Sequence, residues 1–415
     1  MQKIPAFGGL MKKKKKDTKW MKWRHLAVRN IAYCIVRPYV HFKYGIKIEK
    51  YKEQEKRPYL ILLNHQTPFD QFFVGMTLRG VVYYMATEDI FSNGWISKVI
   101  KYLVAPIPIK KQTTDIRAVL NCLKVAKEGG SIAIAPEGNR TYSGRTEYMN
   151  PSIVALARKL GMPILLYRIE GGYGSEPRWS DVVRKGNIRV YCARAVQPEE
   201  YDNMTDDELF AVIRDTLYVD EACENFEYKH PKLAEYLERA IYYCPFCGLS
   251  EFESNGNIIK CKKCDREIRY LPSKKLEGVG FDFPHEYVAG WYDAQKDFMN
   301  SLDVTSYGSN AIYTDRARIS EVIVYDRKVP LCKDAEITLC GNRITAHGEG
   351  VDCEFPFDET TAVTVLGKNK ANIYHGGKIY QLKGGKRFNA LKYVHIYHRY
   401  KNIIKGDQNE QFLGL

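Results

Sequence analysis

Asn64-His65-Gln66-Thr67-Pro68-Phe69-Asp70 sets an imidazole and a carboxylate five positions apart. An imidazole held by a carboxylate is suited to pulling a proton off a hydroxyl group. On a single helix two such side chains would point about 140° apart, at about 3.6 residues per turn. The pair therefore needs a break in the backbone between its members. The apolar run Tyr59-Leu60-Ile61-Leu62-Leu63 predicts a buried strand ending at Asn64, and Pro68 suits the first position of a new helix. Thr67 is then the N-cap and Asp70 the third helical residue, able to face back toward His65. The same residues also fit a plain capping box between Thr67 and Asp70, with His65 left in a loop.

Three further segments must be brought to that pair. Ala135-Pro136-Glu137-Gly138-Asn139-Arg140-Thr141 follows the strand-like Ser131–Ala135; Gly138 permits a sharp turn, and Arg140 offers a planar fork suited to phosphate. Alone, it also fits an ordinary strand-end turn. Ala105-Pro106-Ile107-Pro108-Ile109-Lys110-Lys111 ends an apolar strand in two cations, and Gly161-Met162-Pro163-Ile164-Leu165-Leu166-Tyr167 opens another strand. Around them, residues 58 to about 220 alternate between strands and helices. Strands are predicted at 59–63, 81–85, 131–135, 163–169 and 188–193, and helices at 69–78, 93–103, 114–127, 152–159 and 205–215. The glycine cluster Gly171–Gly174 reads as a loop.

These four blocks, in this order, resemble the glycerolipid acyltransferase family, typified by lysophosphatidic-acid acyltransferase. The family's Asn-His-x-Ser-x-x-Asp block is matched by Asn64, His65 and Asp70, with Thr67 in place of serine. Its Phe-Pro-Glu-Gly-Thr-Arg-Ser block is matched by Pro136, Glu137, Gly138 and Arg140, while Ala135, Asn139 and Thr141 depart from it. Lys111 stands where the second block usually ends in arginine, and the fourth block keeps Gly161 and Pro163 but lacks a second proline. The resemblance covers roughly residues 20 to 220. It implies an α/β acyltransferase domain, a mixed sheet flanked by helices. It further implies that His65 and Asp70 are catalytic and that Lys111, Glu137, Gly138 and Arg140 hold the acceptor's phosphate. The implied reaction moves a fatty acyl group from acyl-CoA or an acyl carrier protein thioester to the free hydroxyl of lysophosphatidic acid or a related lysophospholipid. A different class of reading, a catalytically inactive adaptor on the same fold, would use the basic arm and cysteine cluster described below to bind lipid, protein or nucleic acid.

Charge is unevenly placed. Residues 1–57 hold 17 Lys and Arg against 4 Asp and Glu, whereas the remaining 358 residues hold 46 against 45. The arm includes Lys12–Lys16, then Trp20 and Trp23 among aliphatics repeatedly interrupted by Lys and Arg. It has no uncharged run near the 20 or so residues a span requires, and no secretory signal is expected. Tryptophan and aliphatics mixed with cations suit an anionic membrane surface better than nucleic acid. The expectation is a peripheral protein on the cytoplasmic face of a membrane.

Of eleven cysteines, Cys244, Cys247, Cys261 and Cys264 form two Cys-x-x-Cys pairs with thirteen residues between them, and Asn255-Gly256 supplies a turn in that insert. The spacing predicts a zinc ribbon whose ion is structural and closed to substrate. The other seven cysteines have no regular spacing, which favours buried thiols in a reducing compartment. Domain boundaries are expected at 1–57 for the arm, 58–222 for the α/β unit, 223–270 for a helix (225–241) plus ribbon, and 271–415 for a mainly β domain. The last has a helix at 286–302, hairpin turns near 341, 367 and 376, and a closing helix at 388–404. Its element order is similar to pleckstrin-homology or GRAM-like modules. His395 and His398 lie on that closing helix among aromatics, which points to core packing rather than a metal site.

Overall fold

The computed structural model describes residues 19–53, 57–109 and 115–406. Lys12–Lys16, Lys110 and Lys111 lie outside the described residues.

The first unit is built on a seven-stranded mixed sheet. Its elements run α1 (Trp23–Tyr44), β1 (Lys47–Ile48), β2 (Leu60–Leu63), α2 (Asp70–Gly75), β3 (Val82–Thr87), α3 (Trp95–Leu103), β4 (Ile107–Ile109), α4 (Ile116–Lys127) and β5 (Ser131–Ile134). They continue with α5 (Ser152–Leu160), β6 (Ile164–Glu170), α6 (Gly172–Ser175), β7 (Arg189–Val196), α7 (Pro198–Tyr201) and α8 (Asp206–Leu217). The strand order is β1-β7-β6-β2-β5-β3-β4, parallel except between β6 and β7. Leu60 to Leu63 of β2 are buried on both faces, as a central parallel strand requires. Two neighbouring strands, β2 and β5, pair with Leu62 opposite Ile134 and so deliver both chemistry-bearing loops to one edge. Ligands of open α/β sheets bind at such carboxyl ends.

The described residues of the basic arm, 19–53 and 57, are part of this unit. α1 seals Val40 and Tyr44 into the core, and β1 joins the sheet edge beside β7. Trp20, expected at an interface, is instead an anchor: its indole donates to the Ala105 carbonyl at 3.0 Å and its backbone N–H to Glu128 at 2.8 Å. Trp23 is 85% exposed.

The stretch 225–241 is not the predicted α-helix. It runs as irregular chain with a single 3₁₀ turn at Leu237–Arg239. Its apolar residues Tyr228, Leu233, Ala234 and Leu237 are buried, but its backbone bonds go elsewhere: Tyr228 to the Pro272 carbonyl and Ala234 to that of Gly256. Tyr236 adopts a left-handed φ of 74°, which a helix interior does not allow.

The hairpin β8 (Tyr243–Cys244) and β9 (Gly248–Leu249) precedes an antiparallel sheet of β10 (Phe252–Asn255), β11 (Ile258–Cys261), β12 (Glu267–Tyr270) and β13 (Leu276–Gly278). After α9 (Val288–Ser301) come β14 (Ala311–Ile323), β15 (Arg327–Cys340), β16 (Arg343–Gly348), β17 (Val351–Pro356), β18 (Thr360–Leu366), β19 (Lys370–His375) and β20 (Lys378–Gly384), closed by α10 (Leu391–Lys405). These seven strands form one antiparallel sheet, ordered β17-β16-β15-β14-β20-β19-β18. Its core is continuous with α9, the cysteine-bearing sheet, and Tyr142 and Trp179 of the first unit. His395 is packed in that core with Nδ1 2.6 Å from the Tyr242 hydroxyl, and burial holds His398 down to about 4.

Candidate active site

His65 follows β2, and α2 begins at Asp70 rather than at the predicted residue 69, with Phe69 at its N-cap; the Thr67 hydroxyl nonetheless accepts from the Phe69 N–H at 3.2 Å. Asp70, fully buried, reaches back and gathers the loop: Oδ2 accepts from the Gln66 N–H at 2.6 Å and the Thr67 N–H at 2.9 Å, and Oδ1 accepts from the Thr67 hydroxyl at 2.6 Å. The same Oδ2 lies 2.8 Å from His65 Nδ1. An ionised carboxylate can only accept, so this contact assigns the imidazole proton to Nδ1 and leaves Nε2 with its lone pair. The His65 side chain is 25% exposed, while that of Asp70 is sealed.

The loop after β5 is tied to the loop after β2 at several points. Thr141 N–H donates to the His65 carbonyl at 3.1 Å. Glu137, buried between the loops, accepts from the His65 N–H at 2.7 Å through Oε1 and from the Glu147 N–H at 2.9 Å through Oε2. Burial pushes its pKa up to about 8, against the pull of the Glu147 and His65 N–H groups. Glu137 therefore fixes the backbone that carries His65. Gly138 turns that loop with a left-handed φ of 67° and an N–H bond to Ala135.

His65, Asp70, Gly138 and Arg140 line one cavity of about 760 Å³ whose remaining wall is largely apolar, drawn from α1, α2, β3 and α3. The Arg140 guanidinium makes no hydrogen bond or ion pair among the described residues, and its Nη1 is shut away from solvent. Burial brings the Arg140 pKa down to about 10, the nearby Arg178 adds to that pull, and Glu176 and Asp70 oppose it. A buried guanidinium without a partner is an incomplete ion pair, and a phosphate or carboxylate would complete it.

Asn64, Gln66 and Arg178 also shape the site, and sequence reasoning gave them no such role. The Asn64 amide pairs with Ile169 in both directions, accepting at 2.7 Å and donating at 2.9 Å, so it extends the pairing of β2 with β6. Gln66 Oε1 accepts from Gly172 at 2.9 Å and Tyr173 at 3.1 Å. These bonds hold the glycine cluster as the buried α6, not as a loop bordering the site; a Cβ at Gly174 would come within 2.1 Å of the Tyr228 ring.

Away from the cavity, the sulfurs of Cys244, Cys247, Cys261 and Cys264 all lie within 4.8 Å of one another, and Cys244 and Cys264 are 3.8 Å apart. Tetrahedral zinc with Zn–S bonds of about 2.3 Å requires sulfur separations of about 3.8 Å. The donor set fits a metal ion.

Comparison with known proteins bears on the first unit. Residues 45–169 match the family model described as Acyltransferase. The chain is 23% identical over 194 residues to a chloroplastic 1-acyl-sn-glycerol-3-phosphate acyltransferase of Brassica napus, covering 45% of this chain and 54% of that protein. It is 21% identical over 160 residues to the 1-acyl-sn-glycerol-3-phosphate acyltransferase of Bacillus subtilis (strain 168), covering 38% of this chain and 77% of that one. A crystal structure of the 1-acyl-sn-glycerophosphate (LPA) acyltransferase PlsC from Thermotoga maritima aligns at a TM-score of 0.39 and 18% identity, over 47% of this chain and 78% of the other. The chain thus spans about half the length of the Brassica relative, and the cysteine cluster and C-terminal sheet lie outside residues 45–169. Residues 45–169, which bring the His65–Asp70 pair and the turn bearing Gly138 and Arg140 to one cavity, thus form an acyltransferase-family domain.

Proposed function

We propose that this chain transfers a fatty acyl group from an acyl-CoA or acyl carrier protein thioester to the free hydroxyl of lysophosphatidic acid, forming phosphatidic acid. The observation that carries the reading is a single cavity that joins an oriented His–Asp pair, an unpartnered arginine and a long apolar wall. In this reading His65 Nε2 takes the hydroxyl proton as the acceptor oxygen attacks the thioester carbonyl. The C–S bond breaks, and the leaving thiolate recovers the proton from the imidazolium that Asp70 stabilises. Arg140, with Lys111, binds the acceptor's phosphate, and the apolar wall takes an acyl chain. The inactive-adaptor reading is disfavoured by the intact pairing of His65 with Asp70.

Membrane-surface binding belongs to the same proposal. No helix among the described residues is long and apolar enough to cross a membrane. α1 and α3 nevertheless lie side by side, with Arg24 Nε bonded to the Tyr102 carbonyl at 2.9 Å, and expose Trp23, Ile31, Ile35, Trp95, Ile96 and Tyr102. Helices that display tryptophan and aliphatics beside cations suit an interfacial position. The metal is proposed to be zinc in a ribbon, and the C-terminal sheet with α10 a pleckstrin-homology or GRAM-like module.

General-base assistance contributes about 10²–10⁴ in rate. His65→Ala should therefore lose at least that factor in acyl transfer to lysophosphatidic acid while the protein still binds it. Turnover of the variant near wild type would remove the assignment.

A further inference from the structure

Arg178 lies in the chain between α6 and β7, is almost wholly buried, and has no carboxylate at hydrogen-bonding distance. Its three guanidinium nitrogens donate to three different places. Nη1 donates to the Arg140 carbonyl at 2.8 Å, Nη2 reaches the Asn139 side chain at 3.4 Å, and Nε donates to the Gly367 carbonyl at 3.2 Å. The guanidinium is also stacked 4.2 Å over the Tyr142 ring. One side chain thus holds the main chain of the loop carrying Arg140 and fastens it to the turn between β18 and β19.

That turn answers in kind. Lys368 extends back into the first unit, where Nζ donates to the Ser180 carbonyl and lies 3.4 Å from Asp181 and 3.8 Å from Glu176. Asp181 is held in turn by Arg239, at 2.7 and 3.0 Å, and Arg239 also donates to the Trp179 carbonyl at 2.9 Å. Segment 178–181 and turn 367–368 therefore grip each other reciprocally. The grip closes on the loop that presents the cavity's unpartnered guanidinium. Carbonyl acceptors leave the Arg178 charge unneutralised, so the positive potential around Arg140 is raised where an anion would sit.

We propose that Arg178 and the Gly367–Lys368 turn are positioning elements for Arg140, so that the acceptor's phosphate headgroup is recognised jointly by the α/β unit and the C-terminal domain. The inference rests on the acyl-transfer reading above for the identity of the acceptor. It assigns the C-terminal domain a part in acceptor selection, through a contact that lies beyond the matched family region.

The test uses the full chain with Lys368→Ala and Arg178→Lys; the second keeps the charge but loses the three-way fork. Kinetics with lysophosphatidic acid, with uncharged monoacylglycerol and with acyl-CoA are read beside direct binding of lysophosphatidic acid without donor. Each variant should raise the KM for lysophosphatidic acid about tenfold and lower its preference over monoacylglycerol by the same factor, as expected for a misplaced charge-assisted contact. The kcat and the KM for acyl-CoA should stay within about twofold. Variants that match wild type in binding and KM would overturn the proposal while the acyl-transfer reading stands. A common fall in kcat, both KM values and thermal stability would also overturn it, as the mark of a merely structural contact. If wild type binds lysophosphatidic acid without acylating it and the variants lose that binding, the proposal stands and the reaction assignment fails. If wild type neither binds nor acylates it, both fall.

Discussion

At the scale of residues, the motif aspartate does more than hold the His65 imidazole. Asp70 accepts from two backbone N–H groups, a hydroxyl and His65, so it builds the turn and orients the imidazole with the same two oxygens. Glu137 has the complementary task between loops. Each of its oxygens takes one backbone N–H, and Glu137 is not among the residues that line the cavity. Glu137→Gln removes one acceptor and sets an amide N–H₂ against either His65 or Glu147. An unmet buried donor costs about 1–3 kcal/mol. The expected result is a loss of stability of that size in denaturant unfolding, together with reduced kcat from a displaced His65. If the glutamine variant keeps both, Glu137 is not the brace that its bonds suggest.

At the scale of elements, what the sequence made legible was local and periodic. β2 and its His-bearing end were readable because five consecutive apolar residues precede a polar turn, and α8 because Thr205 and Glu208 form a capping box that the structure contains. The 225–241 segment was misread for a related reason. Its apolar residues fall at helix-like intervals, but their backbone partners, Pro272 and Gly256, are supplied by chain that follows them, and no local signal shows this. Arg178 was invisible for the same cause: its partners are at 139, 140 and 367. Nor does the sequence say which apolar helix faces are left uncovered. In α3, Trp95 is 72% exposed and Ile96, Val99 and Tyr102 accompany it, although Ile100 and Leu103 of the same helix line the cavity. A helix that is apolar on both sides is suited to lie between cavity and bilayer. Trp95→Asp with Ile96→Asp should weaken sedimentation with anionic phosphatidylserine vesicles at least tenfold, roughly the effect of losing more than 1.4 kcal/mol of apolar insertion. The fold should be untouched, because neither side chain is buried. Undiminished vesicle binding would move the membrane face elsewhere.

At the scale of the whole molecule, the cysteine cluster lies where the three parts of the chain meet. Cys244 and Cys261 share one core with Trp179 of the α/β unit, Trp291 of α9 and Ile319 of the C-terminal sheet. Burial drives the Cys244 thiol upward in pKa, and an ion bound at the proposed ribbon would offset that by holding the thiolate. Apparent binding energies of structural zinc reach about 10 kcal/mol or more in small domains, and in a shared core such an ion would support more than the proposed ribbon. It also bears on the clasp at Arg178, since Arg239, which holds Asp181 and Trp179, sits on the 3₁₀ turn that leads into β8 and Cys244. Stripping the metal, by chelation or by Cys261→Ser, should lower the thermal midpoint by more than about 5 °C, counting only a few kcal/mol as lost from a chain of this size. The shift should appear first in the transition of the core that the cysteines share, because the α/β sheet keeps cores of its own around Leu62 and Tyr167. Acceptor KM should rise in protein that is still folded at the assay temperature, ahead of any change in the KM for acyl-CoA. Metal analysis giving well under one zinc per chain, or metal-free protein with an unchanged midpoint, would show that packing alone joins the domains and that the four thiols contribute no more than their burial.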